Sequence, residues 1–214
     1  DQGDFARALA RHQEALPISR EVGDRQIEGR ILNQLANLYV DLSRIDEARS
    51  HHEAALALQR KVGNRRMEAV VLSNLGTLHS RLGRFADALS HRSLAIEILR
   101  ELGDRRLEAM ILGNLAVSYT DLGQWEEARA QLETAVAINR EVGNRLPEGI
   151  WTGSLGAVLV RLGRPDEART SFQDALAIFR ELENLSWQSA VLTSLGDLLF
   201  DEGRLVEAHA LLQE

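Results

Sequence analysis

The chain repeats itself every 40 residues, and this constrains its fold more than any other feature. Residues 31–70, 71–110, 111–150 and 151–190 are four successive copies of one unit. Residues 1–30 read as the rear three-quarters of a preceding copy, and 191–214 as the front of a sixth. Self-similarity at such a period marks a solenoid, in which each unit buries its apolar face only against its neighbours. The expected arrangement is one array over residues 1–214. Proteins built this way work by presenting a long surface rather than by enclosing a reaction.

The copy beginning at Val71 shows how a unit is made. Leu72, Leu75, Gly76 and His79 recur at i, i+3, i+4 and i+7, one face of a helix. Gly83 breaks that helix, and Phe85 opens a second periodic segment through Ala88, Arg92, Ala95, Ile96 and Leu99. Gly103 closes it by supplying a left-handed residue. Asp104 is placed to cap the next helix, as are Asp24, Asn64 and Asn144 in other copies. Each unit is therefore a pair of helices of about 18 residues, roughly 27 Å long. Small residues (Gly76, Gly156, Gly196, Ala36 and Ala116 on first helices; Ala48, Ala88, Ala128, Ala168 and Ala208 on second) permit close approach. Leu35, Leu75, Leu115, Leu155 and Leu195 fill the space between. Some positions depart from the pattern. Pro17 falls mid-helix and is expected to kink it. Glu183 and Leu185 replace the usual glycine and arginine, which predicts a less regular last junction. Pro147 and Pro165 fall in first helical turns, where proline is tolerated.

The pattern Leu-x-x-Leu-Gly-x-x-(Tyr/His), then Gly, then Ala-x-x-x-(aromatic or apolar), complete at Ala168–Phe172, resembles the tetratricopeptide repeat. The usual period is 34 residues; six more per copy point to the longer-helix subclass. Gly-Asp-Arg-Arg-x-Glu-Ala at 103–109 is similar to the repeats of kinesin light chains and Pins-type adaptors, and bacterial regulators carry similar repeats. The resemblance covers the whole chain. It implies an all-α, right-handed α-solenoid of about eleven antiparallel helices, binding a protein or peptide along a concave face formed by first helices. Mapped here, that face offers Arg30, Asn33, Asn37 and Asp41, then Val70, Ser73, Thr77 and Arg81. It continues with Met110, Gly113, Val117 and Asp121, then Ile150, Gly153, Ala157 and Arg161, and ends with Ala190, Thr193, Asp197 and Asp201. The chaperone-tail carboxylate clamp of the family is matched only at Asn37. The arginine and asparagine, seven apart, of Pins-type adaptors are matched only by Arg30 and Asn37.

The expected floor is Val70, Met110, Val117, Ile150 and Ala157, a strip fitted to an amphipathic helix or extended peptide, with Arg30, Asn37 and Arg81 orienting the ligand and Asn33 and Thr77 also lining the groove. The competing reading is that the superhelix curls enough to bury the strip. Arg25/Glu28, Arg65/Glu68, Arg105/Glu108 and Arg145/Glu148 recur in register as exposed pairs and read as a structural ladder between repeats. The alternation Asp41, Arg81, Asp121, Arg161, Asp201 reads the same way. His51, His52, His91 and His12 have no ligand spacing for a metal and read as packing residues. Trp151, beside the groove row, is placed to act as a partial anchor.

Composition excludes rather than identifies. A net charge of −7, with both signs interspersed, argues against nucleic acid as partner. No cysteine is present, so neither disulfides nor thiolate metal sites arise. No apolar run reaches the roughly 20 residues of a membrane span. No catalytic constellation and no cofactor motif is found, so an enzyme is not expected. Lys61 is the one lysine among the basic residues, a bias typical of GC-rich bacterial genomes. The chain opens mid-repeat, without methionine, as a piece of something longer would. The reading is a cytoplasmic protein- or peptide-binding scaffold, the sensory or adaptor segment of a larger bacterial regulator. The alternative is self-association through the solenoid ends, pairing Leu205, Leu211 and Leu212 with Phe5 and Leu9.

Overall fold

A computed structural model describes residues 2–211, with side chains from 5 to 209. Eleven helices follow one another in these residues: α1 (Gln2–Val22), α2 (Arg25–Asp41), α3 (Ile45–Lys61), α4 (Arg65–Arg81), α5 (Phe85–Leu102), α6 (Arg105–Asp121), α7 (Trp125–Glu141), α8 (Arg145–Arg161), α9 (Pro165–Glu181), α10 (Leu185–Asp201) and α11 (Leu205–Leu211). Short connections make sequential helices antiparallel neighbours. The even-numbered helices are the first members of each repeat; the odd-numbered are the second.

Helix ends are set locally. A residue of positive φ stands every 20 positions from Gly23 to Gly203, and eight of the ten are glycines. The amide after most of them turns back across the turn, as Asn64 N–H does to Gln59 O (3.0 Å) and Arg84 N–H to His79 O (2.9 Å), the Schellman closure. Ser43 (φ 58°) and Glu183 (φ 51°) take the same conformation at a steric cost that glycine avoids. The last junction is nonetheless regular: Asn184 N–H reaches Phe179 O at 2.9 Å, as Asn144 N–H reaches Asn139 O at 2.8 Å. What Leu185 removes is a guanidinium; its side chain is 76% exposed.

Asp24, Asn64, Asp104 and Asn184 cap their helices through side-chain oxygens that accept from Ile27, Met67, Leu107 and Trp187 amides. Asn144, expected to do the same, makes no such bond. The residue three positions on is Pro147, which has no amide hydrogen to give. Pro17 lies within α1, which continues as helix through it. Its exposed position corresponds to Ala57, Glu97, Ala137 and Ala177, all exposed.

Contacts group the chain into two compact units, Asp1–Gly103 and Asp104–Glu214. In the first, α1 to α5 pack in sequence and α2 also touches α4; in the second, α6 to α11 pack in sequence and α8 also touches α6 and α10. Each first helix fits its second through paired sizes. A Cβ at Gly76 would stand 2.9 Å from Arg92 Cγ, and one at Gly156 would stand 2.7 Å from Phe172 Cε1. Where the small residue is alanine, Ala36 or Ala116, the corresponding residue of the second helix is shorter: His52 or Leu132. The alanines at 48, 88, 128 and 168 are fully buried. At the C-terminal end Leu205 and Val206 are exposed; Leu212 and the Leu211 side chain lie outside the described residues.

Candidate functional site

Of the four rows assigned to the ligand face, three are accessible and one is buried over its first three members. Arg30, Asn37, Thr77, Arg81, Met110, Val117 and Ala157 are exposed, while Val70 and Ile150 are half-buried. In the row of Asn33, Ser73, Gly113, Gly153 and Thr193 the first three are buried, Gly153 is half-buried and Thr193 is exposed, so Asn33 is not a ligand-facing residue. In a stack of first helices this row faces the next first helix. Gly113 sits under the Trp151 indole so tightly that a Cβ there would lie 2.2 Å from it. Trp151 is therefore a packing residue of α6 and α8, not an anchor. Asn33 Oδ1 accepts from Asn74 Nδ2 (3.0 Å) and lies 3.2 Å from His52 Nδ1.

The exposed rows border two clefts related by two repeats. In the first unit, between α2 and α4, a cleft of about 250 Å³ is lined by Asn37, Val40, Asp41, His52, Asn74, Thr77 and Arg81. In the second, between α6 and α8, a cleft of about 390 Å³ is lined by Ala116, Val117, Thr120, Trp125, Leu132, Ser154, Ala157, Val158 and Arg161. Six of the seven positions of the first lining recur in the second. Three of them turn apolar, Asn37 to Val117, Thr77 to Ala157 and His52 to Leu132, while Asn74 becomes Ser154, Val40 becomes Thr120 and arginine is kept at 81 and 161. One cleft is polar to its floor and the other apolar.

The charged residues at the two rims also differ. Arg81 donates to Val40 O (3.0 Å) and lies 3.7 Å from Asp41. Arg161 instead lies over the Trp125 ring, 5.0 Å from its centroid; among the described residues no ion pair joins it to Asp121. The expected alternation of charges is thus formed at Asp41–Arg81 and replaced by a cation–π contact at Arg161.

The Arg/Glu rows form the expected ladder, but the glutamates are buried rather than exposed. Glu28, Glu68, Glu108 and Glu148 are each at most 5% accessible. Glu68 takes Arg60 of the preceding pair (2.8 Å) and Arg65 (2.6 Å), and Arg65 reaches on to Glu101 of α5, the second helix of its own pair. Glu148 takes Arg140 (2.9 Å) and Arg145 (2.7 Å), and Arg145 reaches on to Glu181. Burial pushes the Glu28 carboxyl up, but its hydrogen bonds to Arg20 and Arg25 outweigh this and hold it below the usual range. These residues are engaged in joining helices and repeats.

The histidines are packing residues: His51 tilts against Tyr39 (5.0 Å) and His91 stacks on His79 (4.9 Å). Among the described residues no three His, Asp or Glu side chains converge as a metal would require. His52 is the one that sequence periodicity undervalued. It is fully buried, and burial first, then the neighbouring His51, pushes its pKa down to about 4. Its polarity at a position filled by Leu132 and Phe172 elsewhere was the available signal.

Eleven helices paired through small-to-large contacts, closed by a left-handed residue every 20 positions and bordered by clefts between first helices, define a helical-repeat protein of the α-solenoid class. The tetratricopeptide repeat model matches residues 1–61, 67–141 and 148–214, and the chain belongs to that family. Such repeats generally serve as scaffolds for protein–protein interaction. The chain is similar in structure to BtubC (BKLC) from P. vanneervenii, at 20% identity and a TM-score of 0.88, covering 98% of this chain and 88% of that one. It is also similar to kinesin light chain TPR-like repeats from Podosopora anserina, at 20% identity and a TM-score of 0.73, covering 86% and 91%. A third likeness is to a signal transduction ATPase with numerous domains and a tetratricopeptide repeat sensor from Pyrococcus horikoshii: 18% identity, TM-score 0.82, covering 93% of this chain and 30% of that one. No curated protein is matched by sequence. Among the described residues no helix is long and apolar enough to cross a membrane.

Proposed function

We propose that the chain is a peptide-binding adaptor or sensor module whose ligand seats an apolar side chain in the cleft between α6 and α8. The observation that carries this reading is the cleft itself. Val117 is 45% exposed at its mouth, and Leu132, Val158 and Ala116 form an apolar floor behind it. Met110, one heptad before Val117 on α6, is 41% exposed, and Ile150 and Ala157 hold the same relation on α8. These four present a strip along two adjacent helices of one unit, the geometry that an amphipathic helix or extended segment covers. Arg161, held flat on Trp125, borders the strip with a positive charge that can orient the ligand. The sensor role of the repeats in the Pyrococcus horikoshii ATPase supports this reading.

The test is a random peptide library panned on the 214-residue chain, with recovered peptides measured by fluorescence anisotropy. Peptides sharing an apolar anchor, and losing binding to Val117→Glu while helicity by circular dichroism is unchanged, are the expected outcome. Peptides that bind wild type and Val117→Glu equally would overturn the assignment of the cleft. A drop in helicity on that change would show Val117 to be part of the core.

A further inference from the structure

The α2–α4 cleft carries an observation that the apolar cleft does not. His52 lies at its floor, fully buried, and its Nε2 has no hydrogen-bond partner among the described residues. The ring's protonation pattern follows from its other side. Asn33 Oδ1 accepts from Asn74 Nδ2, so the atom facing His52 Nδ1 is an acceptor and Nδ1 carries the hydrogen. Nε2 is left with a lone pair. A buried acceptor without a donor is destabilising, and native proteins rarely leave one without a reason.

The rest of the lining calls for the same kind of ligand. Several of its donors are engaged, Asn74 Nδ2 on Asn33, Arg81 Nη1 on Val40 O and the Thr77 hydroxyl on Ser73 O, while the Asn37 amide keeps both donor and acceptor capacity. Acceptors remain in the Asp41 carboxylate and the Asn37 and Asn74 amide oxygens. The C-terminal ends of α2 and α4, at Asp41 and Arg81, both border the cleft, and helix C-termini carry partial negative charge. The chain as a whole is at −7. Arg81 is the opposing charge, but it is turned onto the α2 backbone and Asp41.

We propose that the α2–α4 cleft is a binding site for a cationic hydrogen-bond donor, an ammonium or guanidinium group. His52 Nε2 is the acceptor at its floor and Asp41 the counter-charge at its rim. The group arrives on a partner's lysine or arginine side chain or on a free amine. The site stands independently of the α6–α8 cleft, which shares no residue with it.

The test reads the His52 imidazole nitrogens by long-range proton–nitrogen correlation in the full 214-residue chain, near neutral pH. Probes are N-acetyl-arginine methylamide, N-acetyl-lysine methylamide and the free amino acids arginine and lysine, with norleucine and citrulline derivatives as uncharged isosteres. The expected result is a saturable movement of the Nε2 resonance with cationic probes, weaker in Asp41→Asn and absent with the isosteres. In His52→Leu, which adopts the residue found at 132, cationic probes should no longer move the Asn74 side-chain resonances. Response to capped probes identifies a partner's side chain as the source, and response to free amino acids alone identifies a small amine. The proposal is overturned if no probe moves Nε2 saturably, as bound water alone would give, or if the isosteres act equally. Undiminished response of Asn74 in His52→Leu would also overturn it.

Discussion

At Pro147 one missing amide hydrogen idles the residue three places before it. Asn144 stands where Asp24, Asn64, Asp104 and Asn184 cap their helices, yet it has nothing to accept from. Asn64→Ala and Asp104→Ala are therefore expected to cost about 1 kcal/mol each in urea unfolding, while Asn144→Ala costs only a small fraction of that. His52 makes a second prediction at this scale. Its pKa is about 4 in the folded chain and about 6.5 when exposed. A depressed folded value contributes stability above the unfolded pKa and loses it as pH falls through the window from 6.5 towards 4. The loss is of order 3 kcal/mol at full protonation. Urea unfolding of wild type should steepen in pH dependence across that window. His52→Leu should remove that part of the dependence. Equal profiles would show that the ring is solvated in the native state.

Between elements, stability depends on matched sizes rather than on any one residue. Gly156 admits the Phe172 ring, whereas Ala116 corresponds in repeat position to Gly156 and is paired with Leu132. Gly156→Ala is expected to destabilise α8–α9 by about 1–3 kcal/mol, because the ring and the neighbouring backbone must yield. Phe172→Leu in the same chain should recover part of this, reproducing the Ala116–Leu132 pair. A double-mutant cycle on chemical unfolding measures the coupling; additive effects would mean that the helices separate rather than clash. The paired helices themselves were legible in the sequence, since the apolar spacing, the glycines and the caps act within one turn. The expected irregularity after Glu183 did not follow, because a left-handed residue costs little against a complete Schellman closure. The Arg/Glu rows were read as exposed pairs because spacing places them on one helix face. Their burial is decided by the preceding helix, whose Arg60 or Arg140 closes over the carboxylate.

On the scale of the whole molecule, the helix pairs within each compact unit contact only adjacent pairs, and this makes damage local. Gly156→Ala should lower amide hydrogen-exchange protection in α7 to α10 and leave α2 and α3 at wild-type values, as measured by mass spectrometry. Loss of protection throughout would show a single cooperative unit instead. By itself the sequence determined the helical class, the 40-residue unit and the places of the turns, because these depend on interactions within one helix pair. Only the tertiary structure decided that Asn33 is covered, that Trp151 packs on Gly113, and that one cleft is polar where its counterpart is apolar. Those outcomes depend on which side chain the adjacent first helix contributes and how closely it approaches. A repeat period fixes the order of helices, and the side chains between them set their separation.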